Sequence, residues 1–156
     1  MKPDSYTRTF IVPCDPQVVF KAVTEDFDRW WSASSAPLSS VGDESTVTFE
    51  PSPAFWRFRV LKLVPDRLVE LECVQANHVQ EEAPDNIREE WLGTRLVWEL
   101  EPHDLGTKVI FHHHGLVPGL NCYEVCEAGW DHFLLGSLNR YLNTGVGHPV
   151  GAEAPR

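Results

Sequence analysis

The segment from Asn121 to Leu142 constrains the fold most, because apolar residues recur there every three or four positions. The stripe comprises Cys122, Cys126, Trp130, Phe133, Ser137 and Tyr141, and is widened by Leu134, Leu135, Leu138 and Leu142. This spacing predicts a helix that is buried over most of its girth. Asn121 followed by Glu124 predicts a capping box at its start, and Gly145 predicts its end. So apolar a helix must be enclosed by the rest of the chain.

Segments that alternate between apolar and polar residues precede this helix. They predict strands over residues 6–12, 46–50, 55–63, 68–74, 91–101 and 107–114. Asp15-Pro16 predicts a short helix, with Asp15 as its cap, and a second short helical piece runs through Phe27, Trp30 and Trp31. An antiparallel sheet has one face to bury, and only the last helix is long enough to cover it. We therefore predict an α+β helix-grip fold, in which a curved antiparallel sheet wraps around the long C-terminal helix.

Length and charge narrow the classes of function. The 156 residues predict a single domain over residues 1–149 and a short polar tail over 150–156. A net charge of −10 disfavours nucleic acid and membrane surfaces as partners. The sequence shows neither an apolar signal region nor a stretch of about 20 apolar residues, so we expect a cytoplasmic protein. The four cysteines lack C-x-x-C spacing and are interpreted as free thiols.

Motifs in a fixed order along the chain carry a family resemblance. They are Val19-Phe20-x-Ala22-Val23-Thr24, Trp30-Trp31, Phe58-Arg59-Val60, Pro65-Asp66-Arg67-Leu68-Val69, Trp91-x-Gly93-Thr94-Arg95-Leu96, Gly106-Thr107-Lys108-Val109 and a closing Gly129-Trp130-x-x-Phe133-Leu134. Together, over about residues 6–149, they resemble the SRPBCC (START-like) superfamily, in its heat-shock-protein-90 ATPase activator-like branch. The resemblance implies a helix-grip fold that binds hydrophobic ligands. Some members are cyclases, and no shared catalytic signature can be transferred.

A sheet wrapped around a helix is expected to leave a cavity between the two. Strand parity and the helical stripe predict its lining as Trp98, Phe111, His113, Cys126, Trp130 and Phe133. The predicted function is binding of a small hydrophobic molecule, without cofactor, metal or assigned chemistry, by a monomer or homodimer. One alternative is a cyclase or hydrolyase that uses His113 as acid and base. Another is a module that binds a chaperone or other protein, which rests on the family name alone.

His112 and His114 share the strand face opposite His113. Such a pair could hold zinc if His103 or Glu99 supplied a third ligand. Because strand alternation places both histidines on the outer face, we expect an exposed pair without a metal.

Cys122 and Cys126 lie one helical turn apart. A metal or redox role would need a further ligand, and Cys73 is the only thiol expected nearby. As a nucleophile, either thiol would need an adjacent base, for which His113 is conceivable. Buried cysteines usually act as small apolar residues, which is the interpretation adopted for both.

Overall fold

The structure is a computed structural model that describes residues 5–150. Its centre is one six-stranded sheet of order β1-β6-β5-β4-β3-β2, in which every neighbouring pair is antiparallel. The strands are β1 (Tyr6–Val12), β2 (Glu44–Thr48), β3 (Phe55–Val64), β4 (Leu68–Asn77), β5 (Arg95–His103) and β6 (Gly106–His114). The predicted helix-grip architecture is confirmed. Residues 1–4, and residues 151–156 of the predicted tail, lie outside the described part.

Two short helices, α1 (Pro16–Ala22) and α2 (Phe27–Trp30), connect β1 to β2. Pro16 occupies the first helical position, as predicted. The Asp15 side chain makes no capping hydrogen bond, and the Asp15 carbonyl instead accepts from the N–H groups of Val18 and Val19. The segment between β4 and β5, predicted as a loop, contains a short 3₁₀ helix over Asp85–Glu89.

The last helix, α3, covers residues 123–144. It is α-helical over Tyr123–Trp130, widens to a π-helix over Asp131–Leu138, and is α-helical again over Asn139–Thr144. Gly145 ends it with a φ of 84°, the left-handed conformation that glycine adopts without strain. In the described range of residues 5–150, no helix is long and apolar enough to cross a membrane.

The sheet curls because β3 and β4 are irregularly paired. Their register shifts between Arg57 and Phe58 and again between Val60 and Lys62. Such bulges bend a strand and increase its twist. β4 pairs with β5 only from Leu68 to Glu72, because β5 begins at Arg95, so the remainder of β4 extends past the end of β5.

Buried hydrogen bonds attach α2 to the rest of the core. The Trp30 indole N–H donates to the Ala22 carbonyl at 2.8 Å. Ser137 of α3 donates to the Trp30 carbonyl at 2.6 Å. These bonds position Trp31, the next residue, against α3.

The start of α3 is capped by a residue distant in the sequence. The Glu90 carboxylate accepts from the backbone N–H of Asn121 at 2.9 Å and from that of Cys122 at 3.0 Å. The predicted capping box of Asn121 and Glu124 is therefore wrong, because a carboxylate on the β4–β5 segment already occupies the free N–H groups. This contact joins that segment to α3.

We predict that Glu90→Ala lowers the free energy of unfolding by about 1 kcal/mol, the usual loss for a removed helix cap. Urea denaturation measures the change. The control is Glu89→Ala, since Glu89 is exposed and its side chain makes no hydrogen bond to the described residues. Equal losses for the two variants would contradict a capping role for Glu90.

Candidate functional site

A cavity of about 260 Å³ lies between the β3–β4 end of the sheet and α3. Its walls come from the residue that follows α2, from β3 and the segment before it, from the β4–β5 segment and from α3. The lining residues are Trp31, Phe49, Ser52, Ala54, Trp56, His78, Val79, Trp91, Val125, Cys126, Gly129, Trp130 and Phe133. The exposed side chains of Val79 and Val125 form its mouth.

The predicted lining divides into two groups of three. Cys126, Trp130 and Phe133, all on α3, line the cavity. Trp98, Phe111 and His113 face inward as their strand parity predicts, but they are fully buried and lie outside the lining. Phe111 and His113 pack directly against Trp130, whose ring centre is 4.7 Å from that of Phe111, and Trp98 packs against Phe111. These side chains fill the space between α3 and β6, so the free space lies towards β3.

The walls are mainly indole rings, three of which the sequence did not assign to the site. Trp91 stands 4.7 Å from Trp56 and 5.8 Å from Trp130, with the Trp91 and Trp130 planes nearly parallel. Trp31 completes the arrangement, 4.9 Å from Trp130. Trp56 shares its strand parity with the buried Phe58, a signal that could have identified it. Trp91 precedes β5, which begins at Arg95 and not at residue 91 as predicted, so the parity of the predicted strand wrongly placed Trp91 on the face of Arg95 and Glu99.

Two of these wall residues carry unused hydrogen-bond donors. The indole N–H groups of Trp56 and Trp91 are buried and have no partner among the described residues. The same holds for Trp98, which lies outside the cavity. An unpaired buried donor costs about 1–3 kcal/mol, so a ligand that offers an acceptor would recover part of that cost.

His113 is fully engaged by the protein. Trp130 donates to His113 Nδ1 at 3.0 Å, and because an indole can only donate, Nδ1 is unprotonated. The proton is therefore on Nε2, which lies 2.8 Å from Thr94 Oγ1, whose own hydrogen points to the Trp91 carbonyl. Burial, with a smaller effect of His114, lowers the pKa of His113 to about 3. This arrangement leaves no ring nitrogen for a cavity ligand and gives His113 the role of positioning Trp130.

A cluster of three polarisable groups lies at one end of the cavity. His78, Cys122 and Cys126 are buried, and their ligand atoms all lie within 4.8 Å of one another. His78 Nδ1 is 3.9 Å from Cys126 Sγ. Cys73, the thiol that sequence reasoning considered, is turned away and donates to the Gln75 carbonyl. The partner of the two cysteines is therefore a histidine from the β4–β5 segment.

The two cluster thiols differ electrostatically. The neighbouring Cys126 thiol, helped by His78 and Trp91, lowers the pKa of Cys122 against the opposing effect of burial. The neighbouring Cys122 thiol raises the pKa of Cys126, and burial raises it further. The Trp91 N–H lies beside both sulfurs without reaching hydrogen-bond geometry. One proton of the thiol pair is accordingly released more readily than the proton of an isolated cysteine.

The other histidine pair lies on the outer face of β6, as predicted. His112 Nε2 is 2.8 Å from Glu99 and its Nδ1 is 3.1 Å from Thr7 Oγ1. The His114 ring stacks on that of His112 with centres 5.3 Å apart. Both nitrogens of His112 thus have protein partners.

The sequence model of the family described as "Activator of Hsp90 ATPase homolog 1-like protein" matches residues 13–143. The chain belongs to this family. A comparison with proteins of curated function finds no match.

Solved structures of similar fold agree with membership of the activator-like family. The Aha1 dimer from Colwellia psychrerythraea is 25% identical, with a TM-score of 0.71 over 94% of this chain and 100% of that one. DynU16, a protein of the dynemicin biosynthetic locus, is 23% identical, with a TM-score of 0.71 over 94% of this chain and 49% of its own. CalU16 from Micromonospora echinospora is 15% identical, with a TM-score of 0.53 over 82% of this chain and 68% of its own. At these identities the last two show the fold alone.

We predict that His113 makes the protein acid-sensitive. The pKa of His113 is about 3 in the folded protein and about 6.5 in the unfolded chain. Below about pH 6.5 the unfolded chain therefore binds a proton that the folded protein excludes. Above the unfolded pKa of this histidine, its titration does not lower the free energy of unfolding. As the pH falls below that pKa, the free energy of unfolding decreases by up to about 1.4 kcal/mol per pH unit. Urea unfolding between about pH 7 and about pH 5 measures this slope.

The variant His113→Gln should flatten that slope while lowering stability at neutral pH. His103→Gln, at an exposed histidine in the β5–β6 turn region, is the control and should keep the wild-type slope. An unchanged slope in His113→Gln would show that another group governs the acid limb.

Proposed function

We propose that this protein binds a small apolar ligand carrying a hydrogen-bond acceptor, in the cavity between the sheet and α3. The observation that carries this proposal is the unpartnered, buried indole N–H group of Trp56 in an aromatic wall. A packed core gains nothing from such a donor, whereas a binding site uses a few placed polar groups to orient an apolar ligand.

The size of the cavity favours a compact ligand. Its volume of about 260 Å³ is slightly below the range of about 300–1,000 Å³ for drug-sized ligands. The near-parallel rings of Trp91 and Trp130 favour a flat molecule, since aromatic faces stack well on planar groups. Entry past Val79 and Val125 would cross an apolar mouth.

The charge of the lining favours a neutral acceptor. Among residues 5–150, no lysine or arginine lines the cavity, so a carboxylate bound there would be buried without a counter-charge from this part of the chain. A carbonyl or ether oxygen accepts from an indole N–H without that cost. The ligand class we propose is therefore a planar, uncharged molecule with one carbonyl-type oxygen.

Binding needs no chemistry from the protein, and no catalytic role is assigned to His113. We infer that a second copy of the chain is a partner, because the Colwellia psychrerythraea relative is a dimer. The cytoplasmic location stays a prediction from the sequence. Size-exclusion chromatography with light scattering would determine the oligomeric state.

We predict that filling the cavity abolishes ligand retention. Gly129 lines the cavity on α3, and a Cβ built there meets no atom within 4 Å, so Gly129→Leu should occupy the ligand space. Native and denaturing mass spectrometry of freshly purified protein should show an adduct on the wild type that is absent from this variant.

Gly136→Leu is the matched control, because Gly136 lies on the same helix, outside the cavity, with equal free space. Both variants should gain about 0.5–1 kcal/mol of helix stability, so any difference in binding reports the cavity. An adduct retained by Gly129→Leu, or no adduct on the wild type, would contradict the proposal.

We also predict that Trp56→Phe weakens binding of the molecule found as the wild-type adduct roughly tenfold. The substitution keeps an aromatic wall and removes one hydrogen bond of about 1–1.5 kcal/mol. Titration followed by tryptophan fluorescence measures the affinity. Trp98→Phe is the control, because its unpartnered N–H lies outside the cavity. Equal effects of the two substitutions would remove the assigned role of the Trp56 donor.

A further inference from the structure

The cluster of His78, Cys122 and Cys126 brings together three side chains, of two ligand types, that bind the same metal. His78 lies just after β4, whereas the two cysteines lie at the start of α3. Thiolate sulfur and imidazole nitrogen are the preferred ligands of zinc, and two cysteines with three residues between them fall within its usual ligand spacing. The convergence depends on the folded chain and not on one sequence motif.

We propose that His78, Cys122 and Cys126 bind one zinc ion whose fourth coordination position faces the aromatic cavity. This inference goes beyond ligand binding, since the ion requires no organic ligand.

The distances suit a tetrahedral ion after small side-chain movements. Zn–S bonds of about 2.3 Å and Zn–N bonds of about 2.0 Å place the ligand atoms of a tetrahedron about 3.5–3.8 Å apart. His78 Nδ1 and Cys126 Sγ are already 3.9 Å apart, and no pair in the cluster exceeds 4.8 Å. The backbone positions therefore need not change.

The surrounding residues prepare the histidine as a ligand. His78 Nε2 is 3.1 Å from Gln80 Oε1, an acceptor that favours the proton on Nε2 and leaves the Nδ1 lone pair directed towards Cys126. Ligand histidines commonly donate their other N–H to an oxygen in this way, which fixes the tautomer and the ring orientation. Gln80 is thus a positioning residue for the site.

The charge balance permits burial. Two thiolates and a neutral imidazole around Zn²⁺ carry no net charge, so the complex avoids the cost of an isolated buried ion. The Trp91 N–H beside the two sulfurs supplies a dipole of the right sign for thiolates. The Glu90 carboxylate holds the backbone of Cys122 and fixes where its side chain starts.

The open position follows from the burial of the three ligands. His78 and Cys126 line the cavity, while Cys122 is fully buried behind them. Zinc sites with three protein ligands keep a fourth position for water or a ligand atom. Here that position would offer the cavity a Lewis acid to which an oxygen-containing ligand could bind.

The test uses the full chain, stripped of metal by a chelator under reducing conditions and titrated with zinc alone. Elemental analysis after desalting should give one zinc per chain. Cobalt in its place should show the sulfur-to-metal absorption of thiolate ligation. Failure to retain stoichiometric zinc, or a cobalt spectrum without thiolate bands, would overturn the proposal.

Variants locate the ion. Cys122→Ala, Cys126→Ala and His78→Gln should each abolish stoichiometric binding, and Gln80→Ala should weaken it by about tenfold or more. The control is Cys73→Ala, which removes an equally buried thiol outside the cluster and should retain zinc. Circular dichroism verifies that each variant is folded. Alanine is chosen for the cysteine positions because a buried cysteine packs as a small apolar group, which alanine can replace.

Zinc retained by all three ligand variants, or lost equally in Cys73→Ala, would place the metal elsewhere. A cavity adduct on protein that binds no zinc would overturn this inference and leave the proposed ligand-binding function standing. Gly129→Leu should show the opposite result, in which zinc is retained and the adduct is lost.

Discussion

The hydrogen bond from Trp130 to His113 fixes α3 against the sheet and so determines the space around it. It is a directional contact inside an apolar core, where most contacts tolerate small shifts. With the ring of Trp130 held against β6, one side of that ring packs on Phe111 and another faces the cavity. The hydrogen-bonded Trp130 and His113 thus separate the closely packed part of the interior from the cavity.

The sequence predicts the fold well because the two signals that define it are periodic. The apolar stripe of α3 and the alternation along the strands give the elements and their inward faces. The predicted lining residues of α3 reach the cavity, but Trp98 and His113 do not. Parity tells which face a side chain occupies, and it carries no information about how closely the helix approaches each strand.

The residues that sequence reasoning missed lie mostly where periodicity ends. His78 and Trp91 belong to the segment between β4 and β5, whose path depends on contacts made elsewhere. The cap of α3 is similar, because Glu90 replaces a local pattern that the sequence favoured at Asn121. Long-range contacts of this kind become visible only when the chain is folded, so the approach of His78 to Cys122 and Cys126 could not be anticipated from spacing.

The pairing of β1 with β6 has a consequence for how the protein folds. Tyr6 lies opposite His113, so the first strand finds its partner only after more than one hundred residues have been placed. Contacts between such distant positions require the chain to close a large loop, which slows folding. During synthesis β1 stays unpaired until β6 has been made, whereas β2 to β5 can already pair with one another. We therefore expect the sheet to be completed, and α3 to be enclosed, late in folding.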